Sequence, residues 1–291
     1  MEVAGSGLVG PVLAWYDAHA RDLPWRRASA SAWSVLVSEF MLQQTPVSRV
    51  LPVHEAWLAR WPTPADLAAE PAGEAVRAWG RLGYPRRALR LHGAATAIRD
   101  RHGGAVPAEY DDLRALPGVG DYTAAAVAAF AHGRRHAVLD TNVRRVLARA
   151  VSGVEFPPRS VTRAERDVAE ALLPADPPTA ATWSVAVMEL GALVCTADRP
   201  RCGSCPVGPA CAWNTAGRPA YDGPPRPVQT YAGTDRQCRG RLLAVLRDAA
   251  GAVPESRLAT AWDDEVQRRR CLESLLADGL AVRTGAGIAL P

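Results

Sequence analysis

One acidic residue stands inside an apolar segment of the sequence, and two amides stand where that segment ends. Glu39 lies in the stretch SEFMLQQTP, which is followed by a proline-started segment. A carboxyl group among apolar neighbours is shielded from water, so its pKa is expected to be raised. Such a group suits general-acid catalysis, although a buried, hydrogen-bonded structural acid gives the same pattern. Gln43 and Gln44 are expected to lie in a tight corner and to project outward.

A second carboxyl group precedes a strongly patterned helix. Asp140 stands in VLDTNVRRVLAR, directly before the apolar positions of the next helix. An ordinary N-cap aspartate explains this position, and the aligned amides of the helix are expected to lower its pKa. Glu39 and Asp140 would then be an acid and an anion. This is the pair that cleaves a glycosidic bond through an oxocarbenium-like transition state.

Two glycines interrupt the helical pattern in LRALPGVGDYTAAAVAAFAHG, residues 113–133. Gly118, Val119 and Gly120 form a turn at the start of an Ala-rich helix, where free backbone N–H groups can bind phosphate without reading sequence. A plain helix–helix turn is the alternative. The segment resembles the helix-hairpin-helix motif of DNA repair glycosylases, which favours phosphate binding.

Four of the six cysteines are crowded into 17 residues. Cys195, Cys202, Cys205 and Cys211 have the spacing Cys-x6-Cys-x2-Cys-x5-Cys. Four thiolates suit either a [4Fe–4S] cluster or a tetrahedral zinc ion. Structural zinc sites usually pair two Cys-x2-Cys knuckles, and this loop has one. It resembles the iron–sulfur loop of the endonuclease III and adenine glycosylase group, which favours a cluster.

The composition excludes one chemistry and permits another. All 34 basic residues are arginine, so the chain has no lysine side chain, and its formal net charge is +4. Arginine is a good phosphate ligand, so a nucleic-acid partner is permitted. No signal peptide and no 18-residue apolar segment is found, so we expect a cytoplasmic protein of the bacterial cytosol or nucleoid that does not bind a membrane.

Helical periodicity dominates the first 230 residues, and this region is predicted to be all-α. Helices are predicted over 8–20, 31–43, 46–60, 73–81, 86–101, 110–116, 122–132, 141–151, 161–173 and 179–194. Thr45 is expected to cap the third helix, with Pro46 at its first position.

A Pro- and Gly-rich linker, residues 217–235, is predicted to separate a domain over 1–216 from a tail over 236–291. The tail pattern predicts three helices and two short strands around a Gly turn, and it resembles a winged-helix module. Three consecutive arginines, residues 268–270, would either contact phosphate or form a solvated helix face.

Together these motifs resemble the MutY-like adenine DNA glycosylases. The resemblance spans about residues 8–216 and is carried, in family order, by LPWR, SEFMLQQT, LGY, LPGVGDYTA, LDTNVRRVLAR, MELGALVCT and the four-cysteine loop. It implies a two-lobed helix-hairpin-helix fold, with one lobe over 29–132 and an iron–sulfur lobe formed by 1–28 and 133–216. It also implies a [4Fe–4S] cofactor and, as partner, double-stranded DNA containing a mispaired adenine. We expect a monomer.

The resemblance also implies roles for single residues. Glu39 would donate a proton to adenine N7, and Asp140 would stabilise the sugar cation. Tyr122 would place a hydroxyl beside the acid, and Asn142 an amide near the sugar and the water. The endonuclease III-like lyases, which act on damaged pyrimidines, have a lysine where this chain has Tyr122. Without lysine, a Schiff-base lyase mechanism through a lysine side chain is excluded and hydrolysis remains.

Other residues are implied to contact the DNA. Trp25 and Arg26 would line the adenine pocket, Gln43 would face the duplex, and Gln44 would be a wedge in the gap left by the flipped base. A non-catalytic iron–sulfur DNA-binding or redox-sensing protein is the competing class. A protein that only binds DNA needs neither Glu39 nor Asp140.

The sequence departs from the family pattern in three places. Family members usually carry two aromatics after the Gly of LGY, the second beside the damaged guanine, whereas this chain has Tyr84 and then Pro85. That role either passes to Pro85, an apolar wedge, or is lost. Val185 stands where many members have Glu or Gln. By the resemblance, the short tail is expected to stand in place of the usual Nudix-like domain that senses 8-oxoguanine.

Overall fold

A computed structural model describes residues 6–223 and 231–291, so the part of the predicted linker at 224–230 lies outside the described residues. The α-helices are, in chain order, α1 (Val9–His19), α2 (Ala32–Leu42), α3 (Val47–Arg60), α4 (Pro64–Ala68), α5 (Ala72–Trp79), α6 (Arg86–Arg101), α7 (Tyr110–Arg114), α8 (Asp121–His132), α9 (Thr141–Ala150), α10 (Arg163–Ala171), α11 (Pro177–Leu193), α12 (Ala212–Thr215), α13 (Asp235–Asp248), α14 (Glu255–Ala259) and α15 (Glu265–Ala277). Strands β1 (Val282–Thr284) and β2 (Gly287–Ala289) pair antiparallel, with Arg283 opposite Ile288.

The all-α prediction is confirmed, and each predicted helix begins and ends within about two residues of the observed one. Two short helices, α4 and α12, were not predicted. The signal for α4 was present, because Thr63 and Asp66 form a reciprocal capping box around a helix that starts at Pro64. Among the described residues, no helix is both long and apolar enough to cross a bilayer.

The predicted cap of α3 is wrong. Pro46, not Thr45, holds the N-cap position, and no side chain caps this helix. Thr45 is buried, and its hydroxyl lies instead within hydrogen-bond distance of two carbonyl oxygens, those of Gln43 at 3.2 Å and Leu82 at 3.1 Å. A long-range contact therefore takes the side chain away from the helix terminus, because a buried hydroxyl must find a partner.

The described chain forms two compact units. The first comprises residues 6–35, 108–114 and 119–223. In its core, α11 packs against α1, α8 and α9, which explains why α11 is apolar around most of its circumference. The core side chains include Val12, Leu147, Trp183, Leu190 and Trp213.

The second unit comprises residues 36–107, 115–118 and 231–291. Helices α4 and α5 pack on α6. Three buried tryptophans meet edge to face, Trp57 with Trp61 at a centroid distance of 4.7 Å and Trp57 with Trp79 at 5.8 Å. Each such pair contributes about 0.5–1.5 kcal/mol beyond the burial of its area.

The tail belongs to this second unit and has the predicted order of three helices and a two-stranded hairpin; its winged-helix assignment stays a prediction. It packs against α5. Gly73 N–H donates to the Pro291 carbonyl at 2.7 Å, and Arg247 donates to the Val76 carbonyl at 2.9 Å. In return, Arg77 donates to the carbonyls of Arg247 and Ala249. Each arginine thus binds backbone carbonyls at or just beyond the C-terminal end of the other's helix. Carbonyl groups at a helix C-terminus have no hydrogen-bond partner within their own helix.

The three arginines of α15 already have partners within the tail. Arg268 donates to the Trp262 carbonyl, Arg269 pairs with Glu265 and Arg270 pairs with Asp235. The bonds from Arg270, and next from Gln267, lower the pKa of Asp235 to about 2. These contacts fit the solvated-face interpretation of this helix.

Candidate active site and DNA-binding elements

Glu39 lies in α2 and is buried, with 4% of its surface exposed. The neighbouring residues Val37, Phe40 and Met41 are buried as well. The burial expected for Glu39 is therefore found. A carboxyl group in such surroundings is protected from bulk water, which is the condition for acting as a general acid.

Asp140 is the N-cap of α9, as predicted. Its Oδ1 accepts the backbone N–H of Val143 at 2.6 Å, and its Oδ2 accepts the side-chain amide of Asn142 at 2.9 Å. Arg145 in turn donates to the Asn142 amide oxygen at 2.8 Å. Both carboxylate oxygens are thus held by groups of the same helix, and the orientation of Asp140 is fixed.

The predicted direction of the Asp140 pKa shift is wrong. Burial raises this pKa above the ordinary value for aspartate, and the bonds from Val143 and Asn142, with the charge of Arg145, only partly offset it. The sequence shows that a helix begins at Asp140, but not how much protein surrounds the carboxylate. Desolvation exceeds the effect of the helix N-terminus at this position.

Asn142 is positioned by contacts that the sequence did not reveal. Arg145 also donates to the carbonyls of Gly191 at 2.7 Å and Cys195 at 2.7 Å. Gly191, in α11, lies so close that a Cβ there would stand 2.7 Å from the Asn142 Cβ. A glycine is required because α11 approaches the start of α9 at this point.

Tyr122 lies in the first turn of α8, half-buried, and packs against a small cluster that includes Ala125 and Ala126. Trp25 and Arg26 belong to a short 3₁₀ helix, Pro24–Arg26, in which Trp25 is buried. The structure thus places Trp25 and Tyr122 in the first unit, together with Asp140.

Arg26 has a partner that the sequence analysis missed. Glu189, fully buried in α11, forms an ion pair with Arg26 at 2.9 Å. It also accepts two side-chain bonds from Arg21, at 2.7 and 2.6 Å, and one from the Arg21 backbone N–H at 3.1 Å. Burial alone would raise the pKa of Glu189, but the bonds and charges of the two arginines lower it overall. An acid inside the apolar segment MELGALV carried the same signal as Glu39.

The helix-hairpin-helix segment has the expected glycine turn. Gly118 has φ +78°, and a Cβ there would lie 2.6 Å from the Cβ of Arg90. Gly120 is the N-cap of α8 and offers no side chain to its first amides. Val119 is buried, and its carbonyl accepts a bond from Arg114 at 3.2 Å. The hairpin is thus suited to binding phosphate through main-chain N–H groups.

Two exposed tips have backbone conformations that side chains rarely adopt. We call residues 43–45 the first tip and residues 82–85 the second tip. Gln44 has φ +54° and Tyr84 has φ +47°; both side chains are exposed. Gln43 and Pro85, the N-cap of α6, are half-buried. Each strained residue costs about 1–3 kcal/mol, and such strain clusters at functional sites.

The four cysteines of the loop line one pocket, together with Arg149 and Trp213. None of the four forms a disulfide. Burial, aided by the neighbouring thiols, raises the pKa of Cys205 to about 11, so this thiol needs a positive centre to become a thiolate at neutral pH. Gly208 permits the tight loop, since a Cβ there would lie 2.8 Å from the Cys202 carbonyl.

Arg149 is a buried cation at this pocket, and the sequence analysis did not single it out. Its guanidinium donates to the carbonyls of Thr196 at 2.7 Å and Ala197 at 3.0 Å, and lies 3.5 Å from Cys195 Sγ. It stacks over Trp213 at 4.6 Å. Among the described residues, no three His, Cys, Asp or Glu side chains are arranged to hold a single metal ion.

Comparisons with known proteins agree with this architecture. Residues 37–170 match the family described as HhH-GPD superfamily base excision DNA repair protein. The thermostable thymine-DNA glycosylase structure superposes with a TM-score of 0.66 at 26% identity, over 72% of this chain and 96% of that chain. An endonuclease III–DNA complex, at 21% identity and a TM-score of 0.61, shares the fold.

Curated relatives are more similar in sequence. The adenine DNA glycosylase of Mycobacterium tuberculosis is 56% identical over 283 residues, covering 96% of this chain and 92% of the relative. That of Mycolicibacterium smegmatis is 55% identical, covering 96% and 94%. The human adenine DNA glycosylase is 41% identical over 69% of this chain and 38% of its own length. The chain therefore belongs to the adenine DNA glycosylases, within the HhH-GPD superfamily of base excision repair proteins.

Proposed function

We propose that the protein is a monofunctional DNA glycosylase that hydrolyses the N-glycosidic bond of adenine mispaired with 8-oxoguanine or guanine. The observation that carries the proposal is the burial of Glu39 in an apolar segment of a chain that belongs to the adenine DNA glycosylases. We further propose that the protein acts as a monomer in the bacterial cytosol on double-stranded DNA.

The chemistry begins once the target adenine has left the base stack. Extrusion costs a few kcal/mol and costs less for a mispaired base. Glu39 then donates its proton to adenine N7, so that the base leaves neutral. Trp25 and Arg26 line the adenine pocket, and the ion pair with Glu189 fixes the Arg26 guanidinium. Tyr122 places a hydroxyl near the acid.

Asp140 stabilises the sugar cation that forms as the bond breaks. Its raised pKa means that the protein compensates the negative charge of the carboxylate incompletely. A developing oxocarbenium ion supplies the missing positive charge, so the attraction is stronger in the transition state than in the ground state. Asn142 and Arg145 keep the carboxylate in one orientation. With no lysine in the chain, no lysine imine competes, and water completes the reaction.

The DNA is held by main-chain and side-chain elements. The hairpin at Gly118, Val119 and Gly120 grips the phosphate backbone through N–H groups. Gln44, with Gln43 beside it, enters the gap left by the adenine. The second tip, with Tyr84 and Pro85, inserts on the other strand next to the base opposite the adenine.

The four loop cysteines would hold a [4Fe–4S] cluster. Thiolates are the usual ligands of such a cluster, and all four cysteines line one pocket. A cluster held by these residues would serve as a structural constraint, tying the loop to Cys195 beyond the end of α11. Arg149 and Arg145 fix the backbone at Cys195 and the two residues after it.

A single-turnover assay tests the proposal. We expect adenine release from duplexes with adenine opposite 8-oxoguanine or guanine, and little from those with cytosine or thymine opposite. Glu39→Gln is expected to bind the duplex normally and to lose release by about 100-fold or more, since it cannot donate the proton. Glu55→Gln, at an exposed position of α3, is the matched control.

Two results would count against the proposal. Wild-type protein that releases no adenine from any of the four duplexes would refute the activity. Undiminished release by Glu39→Gln would refute the role of Glu39 while leaving the activity in place.

A further inference from the structure

One buried arginine contacts both tips. Arg87, near the start of α6, is 5% exposed, and its guanidinium lies among the carbonyls of two separate chain segments. Nη1 donates to the Gln43 carbonyl at 2.5 Å, and Nη2 donates to the Gly83 carbonyl at 3.2 Å. Its other acceptors are the Phe40 carbonyl at 3.0 Å and, more distantly, Met41 and Thr45.

The two carbonyls bonded by Nη1 and Nη2 each directly precede a strained residue. Gln43 directly precedes Gln44, and Gly83 directly precedes Tyr84, the two strained residues of the tips. A carbonyl and the next N–H belong to one rigid peptide plane, so a bond to the carbonyl fixes the plane from which the next residue's φ is measured. The Arg87 guanidinium therefore fixes the peptide that enters each strained residue.

Further contacts restrict the same peptides. The indole N–H of Trp79 donates to the Gly83 carbonyl at 2.9 Å, and the Thr45 hydroxyl lies 3.1 Å from the Leu82 carbonyl. The Arg87 guanidinium also stacks under the Tyr84 ring, 5.1 Å from its centroid. Both tips are thus tied to one side chain and to each other, although they are separated by about 40 residues in sequence.

Only an arginine can make this arrangement. Its planar fork presents several N–H groups in fixed directions, whereas a lysine ammonium is a single point with three donors and cannot reach both carbonyls at once. Burial lowers the pKa of Arg87 to about 10, so the guanidinium stays charged at neutral pH, and its donors remain available.

We propose that Arg87 is a positioning residue that holds the first and second tips in one fixed relation, so that Gln44 and Tyr84 insert into the duplex together. The inference rests on the proposed function, because it takes the tips as DNA-inserting elements. Arg87 itself contacts neither substrate nor reacting atoms. It acts by keeping two strained backbones in place before DNA arrives, so that binding need not supply this order.

The test separates positioning from simple stabilisation. Arg87→Lys and Arg87→Met are compared with Arg247→Met. Arg247 is half-buried, burial also lowers its pKa to about 10, and it donates to the Val76 carbonyl, away from the tips. Thermal unfolding measures the loss of stability. Binding to a mispaired duplex with a 2′-fluorinated, uncleavable target adenosine is compared with binding to a fully paired duplex. A 2-aminopurine next to the target reports unstacking.

We expect both Arg87 variants to bind paired DNA like the wild type, and to lose the preference for the mispaired duplex together with the fluorescence rise. Misplacement by about 1 Å can cost about 100-fold in rate, so a loss of that order in single-turnover release is expected. Arg247→Met should lose stability but keep the preference. Thr45→Val, a milder change at the same bridge, should lower the preference in the same direction.

The inference is overturned if Arg87→Lys keeps the wild-type preference and fluorescence rise, or if Arg247→Met loses them equally. If an Arg87 variant does not fold, the result with Thr45→Val decides by the same criteria. A wild-type protein without preference or fluorescence rise would instead refute the DNA-inserting role of the tips, and with it this part of the proposed function.

Discussion

The Asp140 carboxylate is held in one orientation, but its negative charge is only partly stabilised by its neighbours. Two hydrogen bonds hold its oxygens, yet burial still raises its pKa. The native state therefore binds a proton at this site more readily than the unfolded chain does. Stability falls as the pH rises from the unfolded pKa through the folded pKa, and the loss is complete above both values.

Asp140→Asn should therefore raise the unfolding midpoint at pH 7 by about 2 °C while abolishing adenine release, because asparagine caps helices equally well and carries no charge. The gain should shrink as the pH is lowered towards 4, where aspartate in the unfolded chain becomes protonated. Thermal unfolding between pH 4 and 8 measures both effects.

Asp176→Asn provides a control of opposite sign. Asp176 also caps a helix, α11, but hydrogen bonds from Thr179 lower its pKa on the surface of the protein. This variant should lose stability at pH 7. A lower midpoint for Asp140→Asn at pH 7 would contradict the incomplete compensation of the Asp140 charge.

Sequence patterns identified the candidate residues, but they did not predict the packing and the hydrogen-bond partners around them. The cap formed by Asp140 and the burial of Glu39 followed from neighbouring residue types. The sign of the Asp140 pKa shift did not, because it depends on packing from elements distant in sequence. Arg87 and Glu189 were missed for the same reason, since their partners lie about 40 and 165 residues away along the chain.

At the scale of elements, the cysteine loop has little regular structure of its own. It contains one 3₁₀ turn, Cys202–Ser204, and is followed by the four-residue helix α12. Such a short segment cannot bury enough apolar surface to stay ordered unaided. The bonds from Arg149 and the proposed cluster are expected to provide the missing constraint.

Protein purified without oxygen should therefore be brown and contain about four irons per chain. Cys211→Ser should lower the iron content and the thermal midpoint, because one of the four ligands is lost. Cys238→Ser removes a buried thiol from the tail and should leave the iron content unchanged. A colourless, zinc-loaded and fully active protein would contradict the assignment of the cluster.

The positions of the helices could be predicted from the sequence, whereas the side-chain contacts between segments could not. Apolar periodicity located α3, α6 and α11 to within about two residues, although the start of α11 at Pro177 was missed by two. The failure at Thr45 shows the limit of local rules: its hydroxyl reaches the Leu82 carbonyl on another segment, and a tertiary contact overrides the local capping preference.

At the scale of the whole molecule, the tail is packed into the second unit and is not a separate module. The sequence suggests an independent module behind a Pro- and Gly-rich linker, but the described tail shares backbone and arginine contacts with α5. Gly73 is central to this contact, since a Cβ there would collide with the Pro291 carbonyl and approach the Leu290 Cβ to 2.9 Å. The region around α5 is therefore expected to unfold together with the tail.

Gly73→Ala should lower the free energy of unfolding by about 1–3 kcal/mol, because the added methyl group forces the tail away from α5. Thermal or urea unfolding measures the change. Gly10→Ala is the control: Gly10 lies in α1 with open space around it, and alanine there should be neutral or stabilising by up to about 1 kcal/mol. Equal behaviour of the two variants would show that the tail does not depend on this contact.

The reciprocal arginine contacts between α5 and α13 also bear on protein engineering. A chimera that takes residues 231–291 from another glycosylase and joins them at the Pro- and Gly-rich segment would separate Arg247 from the helix whose carbonyl it occupies. Compatible grafts must transplant Gly73 and Arg77 with the tail. A functional chimera must therefore exchange two stretches of chain that are distant in sequence, the α5 region and the tail. Recombination at a single crossover point would separate their contacting residues.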